Sequence, residues 1–161
     1  MTPSALAAPP TPAGIQSIVE HLNAELASAL VLSLNATRYH WMVTGQHFRD
    51  YHLRFDELYE AVHGTFDELA ERIRMLGGIP IHSPAQIEKS SLIPSSDPDR
   101  DLSAQDMLSE ALSSLERIIG AMHEGIELAT NGGDPGTADL LTRFVQVHQK
   151  EAWFLRSMLV E

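Results

Sequence analysis

The segment 52–71 carries six side chains whose types and spacing could bind a metal ion. At about 100° per residue, all six fall within roughly 100° of arc, so a helix would present them on one face. They are His52, Asp56, Glu60, His63, Asp67 and Glu71. Imidazole and carboxylate ligands in this combination suit iron, manganese or zinc. The segment therefore predicts a metal-binding helix face.

The same spacing divides these ligands into two half-sites. His52 and Asp56 lie one helical turn apart, and so do Asp67 and Glu71, so each pair is able to share an ion. Asp56 and Asp67, however, are eleven residues apart, which is about 16 Å along a helix axis. A single ion does not bridge that distance. One copy of the helix therefore supplies two separate halves of a metal site.

A second copy of the chain is predicted to complete each half-site. A two-fold axis between positions 61 and 62 would exchange position 52 with 71 and position 56 with 67. Each His/Asp pair would then face the partner's Asp/Glu pair, because a two-fold interface is reciprocal. Ala61 and Gly64 lie near the predicted crossing, where small side chains allow two backbones to approach closely. The spacing thus predicts a metal site made by two subunits.

The composition favours one domain that attracts cations. The chain has 161 residues, no cysteine and a formal net charge of −11. The lack of cysteine excludes thiolate ligands and is compatible with a reducing cytoplasm, where we expect the protein to act. The charge argues against a nucleic-acid surface, and no apolar run approaches the roughly 20 residues of a membrane span. Residues 1–13 lack basic residues and are predicted to be a flexible arm, leaving 14–161 as the domain.

Four long helices are predicted from apolar periodicity and capping signals. They cover 15–41, 48–76, 103–130 and 134–159. Gly77-Gly78 closes the second helix, while Ser103 and Asp134 cap the third and fourth. The connection 79–101 is rich in proline, and Ser83 is placed to cap a short helix within it. This pattern predicts an all-α, ferritin-like four-helix bundle with a long crossover, carrying a short helix, between helices 2 and 3.

A further histidine extends the ligand pattern upstream. His40 precedes Trp41 at the end of the first predicted helix, twelve residues before His52. This order of motifs resembles the signature of the Dps family, the miniferritins named as DNA-binding proteins of starved cells. That signature is a His-Trp pair, then His-x-x-x-Asp, then Asp-x-x-x-Glu before a Leu-Gly-Gly helix end. The matching positions are His40-Trp41, His52, Asp56, Asp67, Glu71 and Leu76-Gly77-Gly78. Residues 138–156 also resemble the last helix of that family.

This resemblance implies a function and an assembly. Members of the family form dodecameric shells built from two-fold dimers, with ferroxidase centres at the two-fold interfaces. They oxidise Fe(II), preferentially with hydrogen peroxide rather than dioxygen, and store the ferric product as a mineral, which protects against oxidative damage. By this resemblance one subunit supplies His40, His52 and Asp56 as catalytic metal ligands, and its neighbour supplies Asp67 and Glu71.

Other residues are candidates for accessory roles. His63 is either a further ligand, which would shift preference toward zinc, or a proton carrier, or an interfacial histidine bonded to the partner's Glu60. His148 is an accessory ligand, as in the cyanobacterial-type members with extra histidines, or a packing residue. Trp41 is a candidate radical trap or an interface aromatic. Asp134 and Asp139 are candidate pore residues at the three-fold axes, although Asp134 is equally explained as a helix cap.

Two other functions remain open for the same fold. A non-catalytic cage that buffers zinc or another metal would follow if accessory histidines blocked iron turnover. A DNA-compacting structural protein is disfavoured, because the first basic residue is Arg38 and the first lysine is Lys89. Without mobile cations to neutralise phosphates, counterion release supplies no affinity, and we expect no DNA binding.

Overall fold

The computed structural model describes residues 12–160, in which every regular element is a helix. The elements are α1 (Pro12–Met42), α2 (Phe48–His63), α3 (Phe66–Met75), α4 (Pro84–Ser90), α5 (Ala104–Asn131) and α6 (Pro135–Met158). Helices α1, α2 with α3, α5 and α6 form a four-helix bundle, and α4 lies in the crossover. The predicted fold class is confirmed. The first eleven residues of the predicted arm lie outside the described residues, and its last two belong to α1.

The second predicted helix is interrupted, which corrects the continuous helix expected over 48–76. The interruption lies at Gly64 and Thr65, between α2 and α3. Thr65 N–H donates to Val62 O at 3.0 Å, and the Thr65 hydroxyl donates to the same oxygen at 2.7 Å. This tighter i to i+3 bond replaces the α-helical one. Glycine has low helix propensity, and a threonine hydroxyl competes for the backbone, so the sequence weakens the helix at this point.

The helix ends follow the predicted capping signals. Ser83 and Gln86 form a reciprocal capping box at α4, and Ser103 and Asp106 form another at α5. The hydrogen bond from the Ser103 side chain holds the pKa of Asp106 below its usual value. Asp134 accepts from the backbone N–H at position 137 and caps α6. These caps satisfy N–H groups that the first helical turn leaves unpaired and so fix where each helix begins.

The core determines which face of α2 and α3 is exposed. Apolar residues at helical spacing on these two helices are at most 1% exposed and pack into the bundle. They are Phe55, Leu58, Val62, Leu69 and Ile73. The acidic candidates Asp56, Asp67 and Glu71 are all exposed. Burial of the apolar face therefore leaves the ligand face on the outside of the subunit.

A buried acid on α1 is paired with a histidine of the same helix. Glu25 is 0% exposed, and its Oε1 lies 3.4 Å from His21 Nε2. His21 Nε2 also lies 2.9 Å from Ala121 O on α5. Burial raises the pKa of Glu25, and the hydrogen bond with Glu25 raises the pKa of His21. The folded protein thus holds protons on these two side chains more tightly than the unfolded chain does.

No helix in the described part of the chain has the length and apolar character needed to cross a membrane.

Candidate metal centre

The end of α1 and the start of α2 bring two predicted ligands into contact. The rings of His40 and His52 are stacked, with centroids 3.6 Å apart and planes inclined by 23°. The turn between the helices contains Gly45 at φ +110°, a conformation that favours glycine. The ring of Phe48 packs 5.1 Å from that of His52 on α2. The sequence therefore places the two imidazoles together by a tight reversal of the chain.

The hydrogen bonds of this pair fix the tautomer of both rings. His40 Nδ1 lies 2.8 Å from His52 O, and His52 Nδ1 lies 2.7 Å from His40 O. A carbonyl oxygen only accepts, so each Nδ1 must carry the hydrogen and donate it. The lone pair of each neutral ring is then on Nε2, the atom left to coordinate a metal. Such a bond to the second nitrogen orients the ring and increases its basicity as a ligand.

A shallow cavity lies beside His40 on the exposed face of the subunit. It is lined by Thr37, His40, Trp41, Phe55, Asp56 and Tyr59. Asp56 follows His52 by one turn and is exposed, with no side-chain hydrogen bond or ion pair to any residue of 12–160. Trp41 is 73% exposed on the rim. An exposed carboxylate and an exposed indole thus lie beside the two oriented imidazoles.

The second half-site lies on α3. Asp67 and Glu71 are exposed one turn apart, and neither side chain has a hydrogen-bond or ion-pair partner within the described residues. Among residues 12–160, no three His, Asp or Glu side chains lie close enough together to hold a metal ion. The structure thus brings His40 to His52 but does not add Asp56 to them as a third ligand. A lone subunit leaves both half-sites incomplete.

His63 lies between the two half-sites at the last turn of α2. It is exposed, and its ring lies 5.3 Å from that of Tyr59 and 4.9 Å from that of Phe66. These two rings hold His63 beside the helix interruption. Within the described residues its side chain has no hydrogen bond, so the choice between further ligand and interfacial histidine stays a prediction.

His148 does not lie on the ligand face. It is 0% exposed inside the bundle, and Nδ1 donates to Phe144 O at 2.9 Å. Burial lowers the pKa of His148, which favours the neutral ring. Its Nε2 has no hydrogen-bond partner in the described part of the chain. The structure therefore supports packing, the alternative role for His148, and separates it from the exposed half-sites.

The two candidate pore residues differ in their surroundings. Asp134 is buried, caps α6, and pairs with Arg72 and the Thr137 hydroxyl. Its carboxylate is fully engaged, which supports the capping role rather than the pore role. Asp139 is 79% exposed, with Arg143 Nε at 3.8 Å, and remains a candidate for a cation path.

Sequence reasoning missed Arg54, which lies between His52 and Asp56 on α2. The side chain of Arg54 is only 3% exposed and forms an ion pair with Glu151 of α6. A signal was present in the sequence, because Arg54 occupies the apolar-face position one turn before Leu58 and two turns before Val62. A charged residue on a core-facing stripe must be paired or cost free energy. The missing information was the identity of its partner on another helix.

Comparison with known proteins places this geometry in a family. The ferritin-like domain family matches residues 19–161. A DNA protection during starvation protein from Halobacterium salinarum is 37% identical over 126 residues, covering 78% of this chain and 69% of that protein. The crystal structure of Dps from Thermosynechococcus elongatus has a TM-score of 0.89 and 42% identity, covering 92% of this chain and 94% of that chain.

A third relative links the fold to metal chemistry. The Dps protein from Vibrio cholerae O1 is described as a member of a broad superfamily of ferritin-like diiron-carboxylate proteins. It has a TM-score of 0.86 and 28% identity, covering 92% of each chain. The helix order, the two ligand pairs and these matches agree. The chain therefore belongs to the Dps family of ferritin-like proteins.

Proposed function

We propose that the chain is the subunit of a homo-oligomeric cage that oxidises Fe(II) and stores the ferric product. The observation that carries this proposal is the division of the ligands into two incomplete half-sites on one exposed face. His40, at the end of α1, and His52 and Asp56, in the first half of α2 and at its middle, form one half-site, and Asp67 and Glu71 on α3 form the other. A two-fold partner brings the complementary half-site to each end, so that a dimer holds two complete ferroxidase centres.

The ligand types suit iron as the substrate. Carboxylates bind Fe(II) and bind more strongly as its charge rises to Fe(III), while neutral imidazoles add affinity without further negative charge. Two Fe(II) ions held together each give up one electron, and hydrogen peroxide accepts both and, with two protons, forms two water molecules. Paired transfer avoids the hydroxyl radical that a single-electron step would release. We therefore propose hydrogen peroxide as the preferred oxidant over dioxygen.

The family supports the wider assignment. We propose a dodecamer built from two-fold dimers, acting in the cytoplasm to limit oxidative damage. Asp139 is proposed to guide Fe(II) inward at a pore, and Trp41, beside the cavity of the centre, to intercept stray oxidising equivalents. His63 is proposed to face the partner's Glu60, since the two-fold axis between positions 61 and 62 exchanges their positions.

Stopped-flow absorbance after adding Fe(II) and peroxide tests the proposal. Fast ferric formation is expected in the wild type and should be lost in Asp56→Ala, while light scattering shows the same assembly. Asp50→Ala is the matched control, because Asp50 is an exposed carboxylate on another face of α2. Fast oxidation persisting in Asp56→Ala would contradict the assignment. Zinc-occupied, inert centres in the wild type would instead support the metal-buffering alternative.

DNA binding is proposed to be negligible, although some relatives are named for DNA protection. The net charge is −11, and no lysine or arginine precedes Arg38. Affinity for DNA depends on cations that displace counterions from phosphates, and the fold offers no such cluster in its first helix. An electrophoretic mobility assay with plasmid at about 150 mM salt should show no shift. A clear shift under these conditions would contradict the proposal.

A further inference from the structure

The buried charge pair behind the ligand face has no role in the chemistry described so far. The Arg54 guanidinium is paired with Glu151 of α6, lies 3.0 Å from Glu57, and stacks 4.9 Å from the centre of the Phe154 ring. Arg54 and Glu151 are 3% and 6% exposed. They form a charged contact inside the subunit between α2, which carries His52 and Asp56, and α6, the last helix of the bundle.

Stability alone is a weak explanation for such a pair. Taking two charges out of water offsets most of their attraction, and apolar residues of similar size often replace a buried ion pair without loss of stability. The pair instead restricts the orientation of α2 relative to α6, because a planar guanidinium binds a carboxylate in few orientations.

The pair is placed where rotation of α2 matters. Arg54 is two residues from both His52 and Asp56, about 200° around the helix from each. Turning α2 about its axis would move both ligands together and away from the two-fold face. Two further ion pairs join α3 to α6 and to its N-cap: an exposed one between Glu68 and Arg143, and a partly buried one between Arg72 and Asp134.

We propose that Arg54 and Glu151 are a positioning pair that sets the rotation of α2, so that His52 and Asp56 point where a shared ion needs them. This inference rests on the proposed ferroxidase centre. Groups that hydrogen-bond to a metal ligand change metal affinity by about 10-fold to 100-fold when they are replaced, and we expect a comparable loss where a rotation of α2 displaces two ligands at once. The pair acts through α2 and does not itself contact the metal ion.

Cobalt(II) titration of the assembled protein tests this proposal, because its visible absorption reports coordination geometry independently of turnover. The variant is Arg54→Met with Glu151→Leu, which replaces the pair by apolar side chains. We expect normal assembly, a changed cobalt spectrum and at least about tenfold weaker binding. The control is Arg156→Gln with Glu116→Gln, an exposed pair between α6 and α5 whose side chains are 56% and 54% exposed. It should bind cobalt like the wild type.

The possible outcomes distinguish failure of the positioning role from failure of the proposed ferroxidase centre. Normal assembly with a wild-type cobalt spectrum and affinity in the double variant would overturn the positioning role and leave the metal centre intact. Failure of the wild type to bind cobalt, with no difference in Asp56→Ala, would overturn the metal centre and this inference with it. If the double variant does not assemble, Glu151→Gln, which keeps the side-chain shape, is measured with the same expected loss and the same refuting result.

Discussion

Gly64 offers a test of the predicted two-fold crossing. It is exposed at the end of α2 with φ −59° and ψ −12°, a conformation that alanine adopts without strain. A Cβ here would meet carbonyl oxygens of its own helix, Glu60 O at 3.4 Å and Ala61 O at 3.6 Å. Alanine favours helix over glycine by up to about 1 kcal/mol. Gly64→Ala should therefore leave the isolated subunit as stable as the wild type or slightly more stable.

The effect on assembly should be the opposite. If two α2 helices cross near Ala61 and Gly64, the added methyl groups lie in the contact from both sides. Overpacking costs about 1–3 kcal/mol per site, so two copies would weaken the interface by about 2–6 kcal/mol. That corresponds to a roughly 30-fold to 10⁴-fold higher dimer dissociation constant.

Size-exclusion chromatography with light scattering, over a concentration series, measures this change, and circular dichroism melting measures subunit stability. Gly120→Ala on α5 is the matched control, because a Cβ there meets no atom within 4 Å. The control should assemble like the wild type. Wild-type assembly and oxidation rate in Gly64→Ala would show that the helices do not cross closely at this position.

Two further predictions concern buried acids away from the ligands. The pKa of His21 and the pKa of Glu25 are both raised above their ordinary values. The folded state therefore binds these protons more tightly than the unfolded state. The stability that this binding contributes is lost as the pH rises through the raised pKa values. Glu25→Gln removes the main cause of the raised His21 pKa. The unfolding free energy of this variant, measured in urea between about pH 5 and pH 8, should therefore decrease less with rising pH than that of the wild type. Parallel profiles of the two proteins would contradict this prediction. Asp134→Ala should lower stability through the lost cap, which contributes about 0.5–2 kcal/mol, and through the lost ion pair with Arg72. Asp134→Ser still caps the helix and should recover the capping contribution alone. Equal melting temperatures for both Asp134 variants would show that the cap is not the main role.

The features that were predictable from the sequence are those set by local chemistry. The caps at Ser83, Ser103 and Asp134 were confirmed, because each depends on residues within one helical turn. The all-α bundle and its crossover followed from apolar periodicity and from proline-rich connections. The family was recognised from ligand types at fixed spacing, which survive changes elsewhere in the chain.

Features that depend on atoms from distant parts of the chain were not predictable in this way. The interruption at Gly64 and Thr65 depends on a competition between backbone partners of nearly equal energy, which a helical period does not resolve. The reciprocal bonds of His40 and His52 require the geometry of the turn between α1 and α2. The burial of Arg54 and of His148 depends on which neighbouring helix faces each side chain.

Mixed cages test most directly whether each centre is shared between two subunits. Asp56→Ala and Asp67→Ala should each be inactive alone, because every centre then lacks one carboxylate. In cages assembled from equal amounts of both, half the dimers are mixed, and each mixed dimer has one centre with both half-sites intact. Fast Fe(II) oxidation should therefore return to about one quarter of the wild-type amplitude. No recovery, in cages shown by mass spectrometry to contain both subunits, would contradict a centre built across the two-fold interface.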